Sequence, residues 1–403
     1  MKLKTASINL LFCSILHGIN HYLMIFYKPT YTVMTDYFRI TNIGDITTRL
    51  TVFYAGYGLA NFLSGLLARK FSLKKILFWG TILMSTSAMT VIFITPNTYY
   101  LLVILIFLMG LGGGVYHPVA NTLITASYEG KPGHAIGMLS IGSAIGLASA
   151  PFAGEYLGVK LIGFKELFFI SGMVSLIFSF FFLIFVNDKE PVNQEVTSTN
   201  NNNSGALSYG KTLILAIILM CIPVTMREIM SWSFFEITPF WVKYGHSYGI
   251  TIGIVQMMQY APGLIVQPIT GKLCDKLKPL RMVVITFALL GCGYILFAGS
   301  GPIMLWIALV VFGIGMSAST VASETFMASI ATSKNRSLIY GVVLSVGLGI
   351  GGLTAGVAGK VVDHFGKESV TGYRIWFIII GIILILSTGI YFIIEKLRKK
   401  TYK

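Results

Sequence analysis

Twelve apolar stretches, set as two groups of six around one polar segment, predict an all-α membrane protein of twelve transmembrane helices in two pseudo-symmetric six-helix bundles. Three observations carry that fold class. Only 11% of the 403 residues are charged and 55% are hydrophobic, whereas a soluble domain carries about 25% charged residues. Each stretch reaches roughly the 20 residues that a helix needs to cross the hydrocarbon layer. Residues of the first group also return in the second at a nearly constant offset. Hydrocarbon holds no water for unpaired backbone groups, so spans of this kind are helices.

In chain order the first six spans fall at about 6–36, 46–68, 74–95, 99–127, 133–158 and 166–186. The second six fall at about 212–243, 249–271, 280–300, 302–330, 337–362 and 373–394. The expected division is an N-terminal bundle over 1–187, a flexible linker over 188–211 and a C-terminal bundle over 212–403. The linker is polar, with no apolar period, and includes Asn200-Asn201-Asn202-Asn203-Ser204-Gly205. The opening Met1-Lys2-Leu3-Lys4 followed by an apolar run imitates a signal peptide. The run is too long, holds histidines and lacks a small-x-small cleavage site, so it is expected to stay as span 1.

The repeat shows in small and polar residues. Gly65-x-Leu67 returns 206 residues later as Gly271-x-Leu273. Gly142, Gly146 and Gly154 return 205 later as Gly347, Gly351 and Gly359. His17 and Pro29 return 210 later as Arg227 and Pro239. A parallel repeat of two six-helix halves places a substrate site between the halves, near the midplane.

The formal charge is +15, split among short loops and a tail. That distribution excludes a nucleic-acid surface and fits the positive-inside rule. Twenty of the 30 Lys and Arg fall on the side of the termini, eight fall on the other, and Lys28 and Arg227 fall inside spans. The chain is therefore expected to be a multi-pass protein of the cell membrane with both termini cytoplasmic. Cys13, Cys221, Cys274 and Cys292 have no paired spacing, so neither a disulfide framework nor a metal site is expected. No phosphate-binding loop of the Gly-x4-Gly-Lys-Ser/Thr type occurs, which removes ATP as a drive. No enzyme site, cofactor or nucleic-acid partner is expected. The expected partners are a small-molecule substrate, protons and the bilayer, for a monomer.

Ionisable side chains inside spans are costly, about 2.5–3.5 kcal/mol for a charge at helix-centre depth, and mark function. Span 1 carries His17-Gly18-Ile19-Asn20-His21 and then Lys28-Pro29. Positions 17, 20, 21, 24 and 28 share one helix face, which must look at a cavity or at partner helices. His117 and Asn121 share a face in span 4, Arg227 and Ser231 in span 7, and Ser317, Thr320 and Glu324 in span 10. The candidate substrate-binding set is His17, Asn20, His21, Lys28, His117, Asn121, Arg227, Ser231, Thr320 and Glu324. Arg227 either hooks a carboxylate or phosphonate through two parallel hydrogen bonds or pairs structurally with Glu228 or Glu236. Lys28 either assists it or snorkels outward. Glu324, His17, His21 and His117 are the candidate proton carriers, since imidazole titrates near pH 6.5 before perturbation. One proton driven by ~100 mV supplies about 2.3 kcal/mol, enough for a roughly fortyfold gradient of a neutral solute.

Twelve spans in a 6+6 arrangement, a central linker and a Gly-x-Leu-x-Asp-basic loop resemble the major facilitator superfamily. The second copy of that loop reads Gly271-Lys272-Leu273-Cys274-Asp275-Lys276, followed by Arg281, while the first copy has Arg69 in place of the aspartate. Span 5 has Gly137, Gly146, Ala150-Pro151 and Gly154-Glu155 at the spacing of the superfamily's antiporter motif, with Ala150 and Glu155 in place of glycines. Gly110-Leu111-Gly112-Gly113-Gly114-Val115-Tyr116-His117-Pro118 and His17-x-x-Asn20-His21 are similar to motifs of the fosmidomycin-resistance branch. His21 and Val119 stand where that branch has acids. The resemblance implies that spans 1, 4, 7 and 10 line the cavity and that two halves alternate access to it. It also implies gating roles for Gly65, Arg69, Gly137, Gly146, Pro151, Gly154, Gly271 and Asp275.

The function expected is therefore secondary transport. The favoured form is proton-coupled antiport that exports a small drug-like or anionic solute. Proton-coupled uptake of a sugar or organic acid is the alternative within transport. A non-transporting membrane sensor is the alternative from another class, and a sensor usually needs an output domain.

Overall fold

A computed structural model describes residues 2–40, 49–128, 131–188, 210–244, 246–332, 335–354, 356–366 and 368–401. All regular structure in these residues is helical. Ten helical stretches are long and apolar enough to cross a membrane, and Val52–Leu67 adds a shorter one. The remaining crossing, span 8, is split into Ile252–Met258 and Gly263–Lys276. Twelve spans result. Linker residues 189–209 lie outside the described residues. Asp188 accepts from Ser72 Oγ at 2.5 Å and from Lys74 N at 3.0 Å, so its carboxylate caps the start of span 3.

Span 1 is Lys2–Ile25, span 3 Leu73–Thr90, span 6 Phe164–Phe185 and span 7 Lys211–Lys243. Span 9 is Pro279–Leu296 and span 10 is Pro302–Ile330. Where the sequence pattern reads one unbroken span, glycine or proline often divides it. The 6–36 stretch ends its first helix at Ile25, turns through Lys28–Thr30 with Pro29 inside, and resumes at Tyr31–Phe38. Proline lacks an N–H, so the helical hydrogen-bond ladder loses a bond at Pro29, and the chain passes through a 3-10 turn there. Pro262 separates the two pieces of span 8 in the same way. Span 4 is Tyr99–Gly114 and Tyr116–Ser127, interrupted just before the His117-Pro118 pair. Span 5 runs as an α-helix over Pro132–Ala153 and widens to a π-helix over Gly154–Leu161, directly after Pro151. Span 11 is Arg336–Leu353 plus Gly356–His364. Span 12, expected to stop near 394, continues through Val370–Ser387 and Gly389–Thr401, so most of the basic tail is helical.

Packing repeats between the two sets of six. Span 1 lies on span 5, span 2 on span 4, and span 3 on span 6; equally, 7 lies on 11, 8 on 10, and 9 on 12. The sets meet through span 2 on span 11 and span 5 on span 8, which the same repeat interchanges. In lipid there is no hydrophobic force between helices, so close approach and interhelical hydrogen bonds hold them. A Cβ added at Gly65 would sit 2.8 Å from Ser337 O and 2.9 Å from Gly341 Cα. One added at Gly137 would sit 2.6 Å from Gln267 O and 3.1 Å from Gly271 Cα. Gly142, Gly146 and Gly154 instead let span 5 rest on the backbone of span 1 at Ser14, Gly18 and Phe26. Ser85 Oγ donates to Ser175 Oγ at 2.7 Å between spans 3 and 6.

Among the described residues, hydrogen bonds cross the interface between the halves toward both faces. On the face that carries the termini, Asp275 accepts from Gly133 N at 2.9 Å and His134 N at 2.6 Å, at the start of span 5. Arg336 Nη1 donates to Thr125 Oγ1 at 3.1 Å across the halves on that same face. At mid-depth Ser345 Oγ donates to Gly58 O at 2.6 Å. Toward the other face Lys28 Nζ donates to Glu236 Oε1 at 2.7 Å, joining the end of span 1 to span 7.

Candidate functional site

Between the halves lies a cavity of about 50 Å³. A cavity needs roughly 10–15 Å³ of such space for one water, so this one holds a few waters and no drug-sized solute. His17, His21 and His117 line it from one half, and Arg227, Ser231, Thr320 and Glu324 line it from the other. A larger recess of about 710 Å³ lies among spans 1, 5 and 6. Its rim residues Leu11, Ile145 and Val174 are 57%, 53% and 56% exposed. An apolar recess open on the flank of a membrane protein faces lipid, and it lacks the convergent polar groups of a binding site.

The central cavity is organised by one carboxylate. Glu324 on span 10 lies with Oε1 3.3 Å from His117 Nδ1 and accepts from Asn121 Nδ2 through Oε2 at 3.1 Å. Both partners are on span 4, so the contact crosses between the halves. Tyr340 on span 11 donates to the Glu324 main-chain oxygen at 2.7 Å and fixes the backbone behind it. His117 Nε2 lies 3.2 Å from His21 Nε2, which extends the polar chain to span 1. His17 completes the group: its ring stacks on Tyr116 at 4.5 Å and meets His117 edge-on at 5.0 Å. Its Nδ1 lies 3.1 Å from Leu139 O. A carbonyl only accepts, so Nδ1 carries the proton and Nε2 keeps its lone pair. His17, His21, His117 and Glu324 are all buried.

Arg227 lines the cavity already paired. Its guanidinium binds Glu228 and donates through Nη1 to Ser323 Oγ at 3.0 Å. Glu228 also accepts from Trp232 Nε1 at 3.0 Å. Of the two readings open from the sequence, structural ion pair or anion hook, the structure displays the ion pair. Ser231 Oγ meets Tyr260 OH at 3.0 Å, while Thr320 turns its hydroxyl to Met316 O at 3.1 Å within its own helix.

Three candidates do not line the cavity: Asn121 stands behind Glu324, and Asn20 and Lys28 sit farther off. Asn20 donates to Gly113 O at 2.9 Å and accepts from Tyr57 OH at 3.2 Å, tying spans 1, 2 and 4 together. Lys28 binds Glu236 and Tyr54 OH, and its ammonium lies 5.3, 5.5 and 5.6 Å from the ring centres of Tyr54, Trp232 and Phe235. The sequence reading missed Tyr260, Tyr340 and Gln267 as neighbours of the site. Polar groups at mid-span were their only signal, and that signal is shared by many helix-packing residues.

A cavity between two repeat-related six-helix halves, with buried titratable groups facing it, is the layout of a secondary transporter. A family model described as the Major Facilitator Superfamily matches residues 10–251 and 213–403, and the chain belongs to that superfamily. It is 24% identical over 354 residues to the multi-drug resistance efflux pump PmrA of Streptococcus pneumoniae, covering 82% of this chain and 84% of that one. It is 27% identical over 226 residues to the multidrug resistance protein MdtG of Proteus mirabilis, 54% of each chain. Its fold matches an inward-facing, unoccupied bacterial homologue of the human lysosomal transporter Spinster with TM-score 0.67, at 14% identity and 98% coverage of both chains.

Proposed function

We propose that this transporter exports a small drug-like or anionic solute in exchange for protons, through alternating opening of the two faces, with both termini in the cytoplasm. The Glu324–His117 contact between the halves carries the reading. A carboxylate that clamps one half to the other couples proton binding to conformation: protonation removes the charge that holds His117 and Asn121, and the clamp weakens. His21 and His17 extend that chain toward the middle of span 1 and supply further proton-accepting nitrogens. The likeness to two multidrug efflux proteins supports the outward direction. Arg227 supplies the anion preference, exchanging Glu228 for the substrate's carboxylate or phosphonate when the cavity opens. Such an exchange keeps the guanidinium paired throughout, which avoids a bare buried charge.

The test is uptake into inside-out vesicles under an imposed pH gradient, screened with phosphonates, sugars and cationic dyes. Accumulation only when the vesicle interior is acid is the expected result. Accumulation driven by an alkaline interior would replace antiport with symport and reverse the physiological direction.

A further inference from the structure

We propose that His17, His21 and His117 form a binding site for one divalent transition-metal ion of the zinc, nickel or cobalt class, with a coordination position open to the cavity. Each ring can direct a nitrogen to a common point, with the three donor atoms within 4.8 Å of one another. Two nitrogens bound to a tetrahedral ion at 2.0–2.1 Å lie roughly 3.4 Å apart. His21 Nε2 and His117 Nε2 are 3.2 Å apart as they stand. The ring centres are spaced at 4.8, 5.0 and 5.3 Å, so small ring rotations bring His17 onto the same ion.

The surroundings are those of a metal site. A ligating histidine donates its other nitrogen to a carbonyl or carboxylate, which fixes the tautomer and raises basicity. His17 Nδ1 has Leu139 O for that purpose, and Glu324 Oε1 lies 3.3 Å from His117 Nδ1, near enough to take its proton's hydrogen bond after a small ring rotation. His17 Nε2 finds no hydrogen-bond partner among the described residues although the residue is only 1% exposed. A buried lone pair without a donor is costly, and a cation satisfies it. Imidazole ligands suit divalent first-row transition metals such as zinc, nickel and cobalt, whereas calcium and magnesium demand oxygen. Charge is balanced locally: Glu324 offsets part of the ion's charge while Arg227 and Glu228 cancel one another. An oxyanion on the open position would complete the balance.

The site does not rest on the export reading, since binding is measured on the resting protein without any gradient. Full-length protein in detergent is stripped with a chelator, dialysed against buffered Zn2+ and analysed for metal per chain. One zinc per chain is expected, with His21→Gln and His117→Gln each lowering affinity at least tenfold. Glu324→Gln, which alters only the outer partner, should lower it about 10–100-fold. His364→Gln, an exposed histidine elsewhere, should bind as the unaltered protein does. Co2+ in the unaltered protein should give the ligand-field spectrum of a four-coordinate, nitrogen-rich site, a readout that needs no variant. Absence of stoichiometric zinc in the unaltered protein, zinc binding unchanged in the paired His21→Gln, His117→Gln variant, or an octahedral cobalt spectrum would each overturn the proposal.

Discussion

Glu324 meets span 4 through two contacts of different chemistry, a histidine at 3.3 Å and an amide donor at 3.1 Å. Glu324→Gln keeps the size of the side chain and removes the charge. Accumulation driven by a pH gradient should disappear while downhill exchange of substrate persists; retained accumulation would move proton coupling to the histidines. Arg227 calls for a paired variant. Arg227→Ala leaves Glu228 as an unmatched buried charge, a loss of about 3–5 kcal/mol, so yield in the membrane should fall sharply. Arg227→Ala combined with Glu228→Gln should restore yield without restoring transport of an anionic solute, as judged by Western blot and vesicle uptake together. Normal anion transport by the double variant would remove Arg227 from recognition.

Elements are positioned by a few backbone-to-backbone approaches. Gly65 against Gly341 and Gly271 against Gly137 are the repeat-related contacts that seal the face bearing the termini. Gly65→Leu has no space for its side chain there, so it should hold spans 2 and 11 apart. Increased thiol labelling of a cysteine placed at Ser337 would report that opening, and unchanged labelling would show that the helices adjust elsewhere. The two copies differ in electrostatics. Asp275 binds the first amides of span 5, where a carboxylate on a helix start contributes about 0.3–1 kcal/mol and up to ~2 when partly buried. Arg69 occupies the repeat-related position, so the carboxylate cap occurs in one copy of the loop and not in the other. Asp275→Asn should therefore raise labelling at span 5 as well, by a smaller factor than Gly65→Leu.

For the whole molecule, the proposed alternating access requires one set of contacts across the halves to break while the other holds. Lys28–Glu236 spans the halves toward the face opposite the termini. Cysteines at those two positions joined by a short bifunctional thiol reagent should arrest transport, with activity returning when a cleavable reagent is reduced. Full activity in the cross-linked protein would mean that this end of spans 1 and 7 does not separate during the cycle.

Much of this architecture is readable from composition and spacing. Span number, the repeat and the polar faces of spans 1, 4, 7 and 10 all follow from local periodicity, because a bilayer demands long apolar helices and penalises every polar residue that faces lipid. Breaks inside spans 1, 4 and 8 were less legible, since glycine and proline permit a break without requiring one. Pairings lay beyond the sequence. That His117 meets His21 across 96 positions, and Glu324 across 207, depends on how spans 1, 4 and 10 dock. The same docking sends Asn20 into a helix junction and Lys28 into an aromatic box, although both share the face of His17 along span 1. Cysteine spacing carries no signal for the histidine group, whose ligand atoms come from two distant segments to within 4.8 Å of one another. The sequence determined that this chain spans a membrane as a repeated bundle with buried ionisable groups, because those properties follow from each helix alone. Which of those groups face the cavity, which pair with each other and which only hold helices together was decided by tertiary structure, because a side chain's partner is set by the neighbouring helix's rotation and depth.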